Sequence, residues 1–454
     1  MPSLPELLLA KALAFHQAEL DDDSGTACRQ ALALAPDLGP AWTLAGALAL
    51  AGGQPAVALI AARAAVALIA AQAAVALIAD AGACYILGNA LWAAERVADA
   101  DAAWRAALAL APDDPRAWDN HGNAALRLGD TDDALAAFER ARALAPERPE
   151  SHWNRAVALL VAGRWSEGWA AYEWRFRAVP GLHDRALGER YRGGPVAGRT
   201  VFVWHEQGYG DFLQFLRYVV ALRQAGARVL LECPAPMRPL LAGWPVVADL
   251  VDSGEWPPPF DLHVPLMSLP AVLGGECLRA GLVPYLPRPD AARLTLPADG
   301  RPLVGLVWAG RQIPGNLRRS CRPADLLPLL ARPGLNFVSL QREATASELA
   351  PLLDRGVTHL GEAINDFADL AAAIGQLDLL LTIDSAPAHL AGALGRPVWT
   401  MLSDRPDWRF PPHRRDNPWY PGMRLFRQPR PGDWAAVVAE VVAELDHWPL
   451  RRLP

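Results

Sequence analysis

Lysine is almost missing from this chain of 454 residues: of its 43 basic residues only Lys11 is not an arginine. The 49 acidic residues leave a net charge of -6. That balance argues against a general nucleic-acid or acidic-membrane binder and leaves only local basic loops as anion sites. Cysteine is scarce and scattered, at Cys28, Cys84, Cys233, Cys277 and Cys321, with no C-x-x-C pair. Neither a disulfide framework nor a zinc site is indicated, and a reducing cytoplasm fits. The first residues lack the basic flank and apolar core of a signal peptide. Ala56 to Ala79 is long and apolar enough to span a bilayer, but it carries Arg63 and Gln72 and is mostly alanine, so it reads as a helix of a repeat array. No D-x-D triplet follows a strand, where a divalent metal would be held.

What is present first is repetition, expected to fill residues 1–182. Ala-Leu-Ala-Pro ends at Pro112 and again at Pro146, 34 positions later. Gly88 and Gly122, Trp104 and Phe138, and Ala107 and Ala141 keep the same spacing. Small residues at fixed places let two antiparallel helices approach, the aromatic fills the gap and the proline closes the second helix. The pattern resembles the tetratricopeptide repeat, an α-solenoid, with units near 5–38, 39–80, 81–114, 115–148 and 149–182. The second unit is longer because a nonapeptide, Ala-Val-Ala-Leu-Ile-Ala-Ala-Arg-Ala, is repeated in tandem. Arrays of this kind bind peptides or partner proteins in a groove. Asp21 to Asp23 and Asp132 with Asp133 are placed in turns between helices, as ordinary solvated carboxylates.

From His183 the period changes. Residues 183–199, polar and glycine-containing, read as a linker or packed connector. Short apolar strands at Thr200–Trp204, Arg228–Glu232, Val246–Val251 and Leu262–Pro265, alternating with helices, predict a parallel sheet over 200–290. A proline-rich stretch, 284–301, reads as an interdomain linker, and a second α/β set over 291–454 has strands at Leu303–Trp308, Asn336–Leu340, Leu379–Ile383 and Val398–Leu402. Two Rossmann-like lobes place a cleft between them, and such sheets bind ligands just beyond the carboxyl ends of their strands.

Three loops occupy such positions. In His205 to Asp211 the backbone of Gln207, Gly208 and Gly210 is free to approach a ligand, and Asp211 offers a carboxylate at the start of a helix. Asp211 with Gln214 also reads as a capping box, which would give it a structural role instead. The loop from Ala309 to Arg322 is strongly cationic, and Arg311, Arg318 and Arg319 are its candidates for a diphosphate. In Asp384, Ser385, Ala386 and Pro387 a buried strand turns into a helix whose first amides make an anion site, with His389 one turn on as a further donor. Glu362 and Asp366, just before the preceding helix, are candidates for a ribose. Trp408 and Arg409 are candidates for a sugar pocket, and Trp419 and Tyr420 for packing. A carboxylate facing cations and a helix N-terminus suits glycosyl transfer from a nucleotide diphosphate sugar, with the protein supplying the positive charge.

Glu206 to Asp211, Val307 to Gly310, Phe337 to Gln341, Asp384-Ser385 with His389 to Gly395, Asp407 to Arg409, and Pro418 to Pro421 together resemble glycosyltransferase family nine, the heptosyltransferase-like enzymes. The resemblance is to bacterial proteins that fuse such a domain to tetratricopeptide repeats. It implies a GT-B fold, inversion at the anomeric carbon without a metal, Asp211 as base, and diphosphate contacts from Ser385, Ala386 and His389. No cofactor is implied, only a nucleotide diphosphate or monophosphate sugar as donor. It further implies an enzyme that glycosylates a protein held by the repeats, flagellin among such acceptors. The alternatives are a lipopolysaccharide core glycosyltransferase and an inactive transferase-like scaffold that docks partners. Where relatives carry a lysine in the cationic loop this chain has arginines, which leaves open which arginine meets the phosphate.

Overall fold

The computed structural model describes residues 3–18, 20–35, 38–54, 57–63, 65, 80–274, 283–287, 293–310, 318–405, 407–412 and 414–448. Two compact units result, Met1–Ala162 and Gly163–Pro454. Among the described residues no helix is long and apolar enough to cross a membrane.

The first unit is a run of paired helices: Leu4–Gln17 with Asp21–Leu34, Gly39–Ala51 with a helical stretch at 57–63, Ala81–Ala93 with Val97–Leu110, Pro115–Leu128 with Thr131–Leu144, and then Pro149–Val161. Local chemistry fixes the ends. Asp114 caps one helix by accepting from the Arg116 amide at 2.9 Å, and Pro115 and Pro149 occupy first-turn positions. The repeated glycines are contact points. A Cβ on Gly88 would lie 2.4 Å from the Trp104 ring, and one on Gly122 would lie 2.6 Å from Phe138. Asp21 to Asp23 and Asp132 with Asp133 are not in turns as the sequence suggested; they form first helical turns, where carboxylates complement the helix dipole. Most of the duplicated nonapeptide lies outside the described residues.

The second unit holds two sheets. β1 (Thr200–Trp204), β2 (Arg228–Cys233), β3 (Asp249–Asp252) and β4 (Leu262–Pro265) are parallel in the order β3-β2-β1-β4. The other sheet contains β5 (Leu303–Val307), β6 (Asn336–Ser339), β7 (Thr358–His359), β8 (Leu379–Ile383), β9 (Val398–Leu402), β10 (Asp416–Asn417) and β11 (Tyr420–Arg427), in the order β10-β11-β9-β8-β5-β6-β7. Its strands are parallel except for the short β10. β8 and β9 are buried on both faces, which is why they read as continuous apolar runs.

The compact unit that holds the sheets begins at Gly163, within the stretch 149–182 read as the last repeat, because the helix Trp165–Tyr172 turns Trp165 and Trp169 onto Phe215, Trp408 and Trp419. Of the two readings of residues 183–199, the packed connector is the one observed. Arg190 bridges His263 beside β4, and the Tyr191 amide donates to the His263 carbonyl at 2.8 Å. The proline-rich stretch is also partly packed: Tyr285 is buried and its hydroxyl donates to the Leu213 carbonyl at 2.9 Å.

Candidate functional site

Strand order reverses direction at one place in each sheet, between β1 and β4 and between β5 and β8. Crevices at such switch points, beyond the carboxyl ends of the strands, are where open parallel sheets bind ligands. The loop His205 to Asp211 leaves β1, the cationic loop leaves β5, and the turn Asp384-Ser385 leaves β8. The three loops singled out by sequence therefore sit at switch points.

At the β8 end, Ser385 is the extended N-cap of the helix Ala386–Ala393, with Pro387 in its first turn. Its hydroxyl turns back to the Ile383 carbonyl at 3.2 Å, so no side chain caps the first helical amides. Asp384 is buried and accepts from Arg319 Nη1 at 3.1 Å. Burial pushes its pKa up to about 6, against the pull of Arg319. Arg318 is exposed, Arg311 lies outside the described residues, and Glu362 is exposed on a short 3-10 turn. Asp366 is occupied locally, capping the helix Phe367–Gln376 through the Ala368 and Asp369 amides and pairing with Arg293 at 3.0 Å.

His389 is not the exposed donor that its position one turn into the helix suggests. The ring is buried, with Nδ1 3.1 Å from the Tyr420 hydroxyl. Burial, reinforced by the charges of Arg409, Arg217 and Arg319, lowers its pKa to about 3, so it is neutral at pH 7. What covers it is Gly210. A Cβ there would lie 2.9 Å from His389 Cδ2 and 3.9 Å from the Ala386 Cα. Gly210 thus lets the helix Tyr209–Gln224, from the first sheet, close on the helix Ala386–Ala393, from the second.

The same helix start corrects the capping-box reading. The helix begins at Tyr209, two residues earlier than Asp211, with Gly208 as N-cap. Asp211 is therefore the third helical residue, and its Oδ2 reaches back to accept from the Gly208 amide at 2.9 Å. Gln214, expected to complete the box, is buried instead, with no hydrogen bond on its amide among the described residues. The other oxygen of Asp211 pairs with Arg409 Nη2, and Arg409 Nη1 holds Asp407 at 2.5 Å. Arg409 is buried over the Trp408 ring at 4.1 Å, and its Nε–H has no partner among the described residues. Trp408 itself packs edge-on against Trp169 and Trp419 and belongs to an aromatic core.

Two residues at this site carry no sequence signal. Tyr172 and Arg175 fall where the repeat pattern ends, yet Tyr172 meets Gln207 and Arg175 meets Glu206. Among the described residues no group of three or more His, Cys, Asp or Glu side chains is placed to hold a metal ion.

Residues 120–178 match the tetratricopeptide repeat model, and residues 337–419 match that of glycosyltransferase family 9 (heptosyltransferase). The second match contains Asp384, Ser385, His389 and Arg409, while Asp211 lies outside it. Protein FlbA of Caulobacter vibrioides is 31% identical over 153 residues, 32% of this chain, and the match spans a quarter of FlbA. Solved structures with a similar part include MamA, 18% identical with a TM-score of 0.32 over 39% of this chain and 95% of that one. The Pseudomonas aeruginosa pilF structure is 17% identical, with a TM-score of 0.36 over 49% of this chain and 86% of its own. The chain thus carries tetratricopeptide repeats followed by a glycosyltransferase family 9 (heptosyltransferase) domain.

Proposed function

We propose that the chain is an inverting, metal-independent GT-B glycosyltransferase that moves a sugar from a nucleotide diphosphate donor to a protein acceptor recruited by the repeats, flagellin being one candidate. Asp211 takes the proton of the acceptor hydroxyl as its oxygen bonds to the anomeric carbon, and the carbon–phosphate oxygen bond breaks to release the diphosphate. Arg319, Arg409 and the first amides of the helix Ala386–Ala393 meet the charge that develops on the leaving group. His389, neutral and behind Gly210, shapes this pocket and adds no charge. The observation that carries the reading is the approach of Gly210 to His389 and Ala386, which sets Asp211 beside that helix N-terminus.

Calorimetric titration with ADP, UDP, GDP and CMP tests the donor half. Saturable binding of one nucleotide, weakened by Ser385→Tyr with the circular dichroism unchanged, is expected; binding of none would remove the transferase reading. Asp211→Asn should lower transfer by roughly 10²- to 10⁴-fold while the nucleotide affinity is kept. A second reading, a domain that binds nucleotide and docks partners without catalysis, has one point in its favour: both Asp211 oxygens are already engaged. Undiminished transfer by Asp211→Asn would end the base assignment.

A further inference from the structure

Gln207 has a φ of 68°, a left-handed conformation that a residue with a side chain rarely adopts unless its surroundings hold it there. It lies one residue before the N-cap Gly208, whose amide donates to Asp211. The conformation of Gln207 therefore sets where the Asp211 carboxylate sits. A single segment, from the helix Trp165–Tyr172 to Arg175, supplies the restraint. The buried Tyr172 hydroxyl lies 3.4 Å from Gln207 Oε1 and 3.3 Å from Nε2. Three residues on, the fully buried Arg175 grips Glu206 with Nη2–Oε1 at 2.7 Å and Nε–Oε2 at 3.0 Å, and the Met267 amide donates to the same carboxylate at 3.1 Å. Two consecutive loop residues are thus pinned from one side.

The same helix also reaches the cation that pairs with Asp211. Trp165 and Trp169 lie with ring centroids 6.2 and 5.2 Å from that of Trp408, on which the Arg409 guanidinium is stacked. The charges of Arg409 and Asp211 are close enough to act on the Tyr172 hydroxyl, whose pKa burial raises to about 12. One short helix braces both members of the Asp211–Arg409 pair.

We propose that Tyr172 is a positioning residue of the site: through its hydrogen bond to Gln207 it holds the loop 205–211 in the strained form that presents Asp211. Its consequence for transfer rests on the glycosyltransferase reading, but its effect on the loop does not. The test compares the full chain with Tyr172→Phe, Gln207→Met and the double variant. Gln207 is exposed, so Gln207→Met gives a folded reference should Tyr172→Phe be unstable.

Amide hydrogen exchange is read first, and exchange at residues 207–211 should rise about fivefold or more in each single variant while the β1 amides stay protected. Transfer is read second, as labelled sugar passed from ADP-, UDP- or GDP-linked sugars into acid-precipitable protein. In both single variants kcat should fall about tenfold with the donor KM within about twofold, and the double variant should be no worse than the worse single one, as for residues acting in series. Unchanged exchange at 207–211 overturns the proposal, and so does a double variant whose losses multiply. Faster exchange in the variants, where the wild type itself transfers nothing, supports the clamp on the loop and counts against the glycosyltransferase reading alone.

Discussion

His389 and Asp384 give the site its pH response, with opposite signs. Folding lowers the pKa of His389 from 6.5 to about 3, so the unfolded chain takes up that proton first. Stability from this residue is complete above pH 6.5 and is lost as the pH falls toward 3. Asp384 is raised from 3.8 to about 6, so its contribution is complete below pH 3.8 and is lost as the pH rises through 6. Thermal melts of His389→Gln between pH 7 and 4.5 should therefore fall less steeply on acidification than those of the wild type. An identical slope would mean that the ring is protonated in the folded chain. At this scale the sequence revealed whatever is local. Asp384, Ser385 and His389 announce themselves because a strand, a turn and a helix start follow one another directly. The Asp211–Arg409 pair spans 198 positions, and the contact of Tyr172 with Gln207 spans 35, so neither leaves a trace in spacing.

Between elements, close approach depends on glycine. A Cβ on Gly392 would lie 2.5 Å from the Tyr420 ring, where β11 meets the helix Ala386–Ala393. Gly392→Ala should destabilise the chain by about 1–3 kcal/mol, measured by denaturant melts, because a packed aromatic has to move. Gly122→Ala should do the same through Phe138 in the repeats. A loss below a few tenths of a kcal/mol in both would show that these rings yield freely. The buried strands β1, β5, β8 and β9 were legible because their apolar runs are bounded by turn residues. β11 was not, because Pro421 and Gly422 interrupt its start and it pairs with β9 only from Met423 onward. β7 and β10, of two residues each, are too short to carry a period.

For the whole molecule, the repeat pattern and the compact units disagree about where the α/β unit begins. Periodicity continues through the helix Trp165–Tyr172 because its residues keep the spacing of a repeat, but its aromatic side chains are spent on Phe215, Trp408 and Trp419. A chain beginning at residue 163 should melt cooperatively and retain nucleotide binding. One beginning at residue 183 loses Trp165, Trp169, Tyr172 and Arg175 and leaves Glu206 buried without its arginine, a loss of roughly 3–5 kcal/mol for a broken buried pair before the aromatic packing is counted. It should be recovered insoluble or should melt at least ten degrees lower; equal melting temperatures would place the boundary at 182 after all.

The central claim is that a nucleotide diphosphate binds where the start of Tyr209–Gln224 meets the start of Ala386–Ala393. A crystal structure of the full chain grown with the nucleoside diphosphate that binds in solution tests it most directly. The diphosphate should lie against the Ser385 and Ala386 amides, with Arg319 or Arg409 on its oxygens and Asp211 facing the open side. A nucleotide bound elsewhere, with that helix start bare, would contradict it.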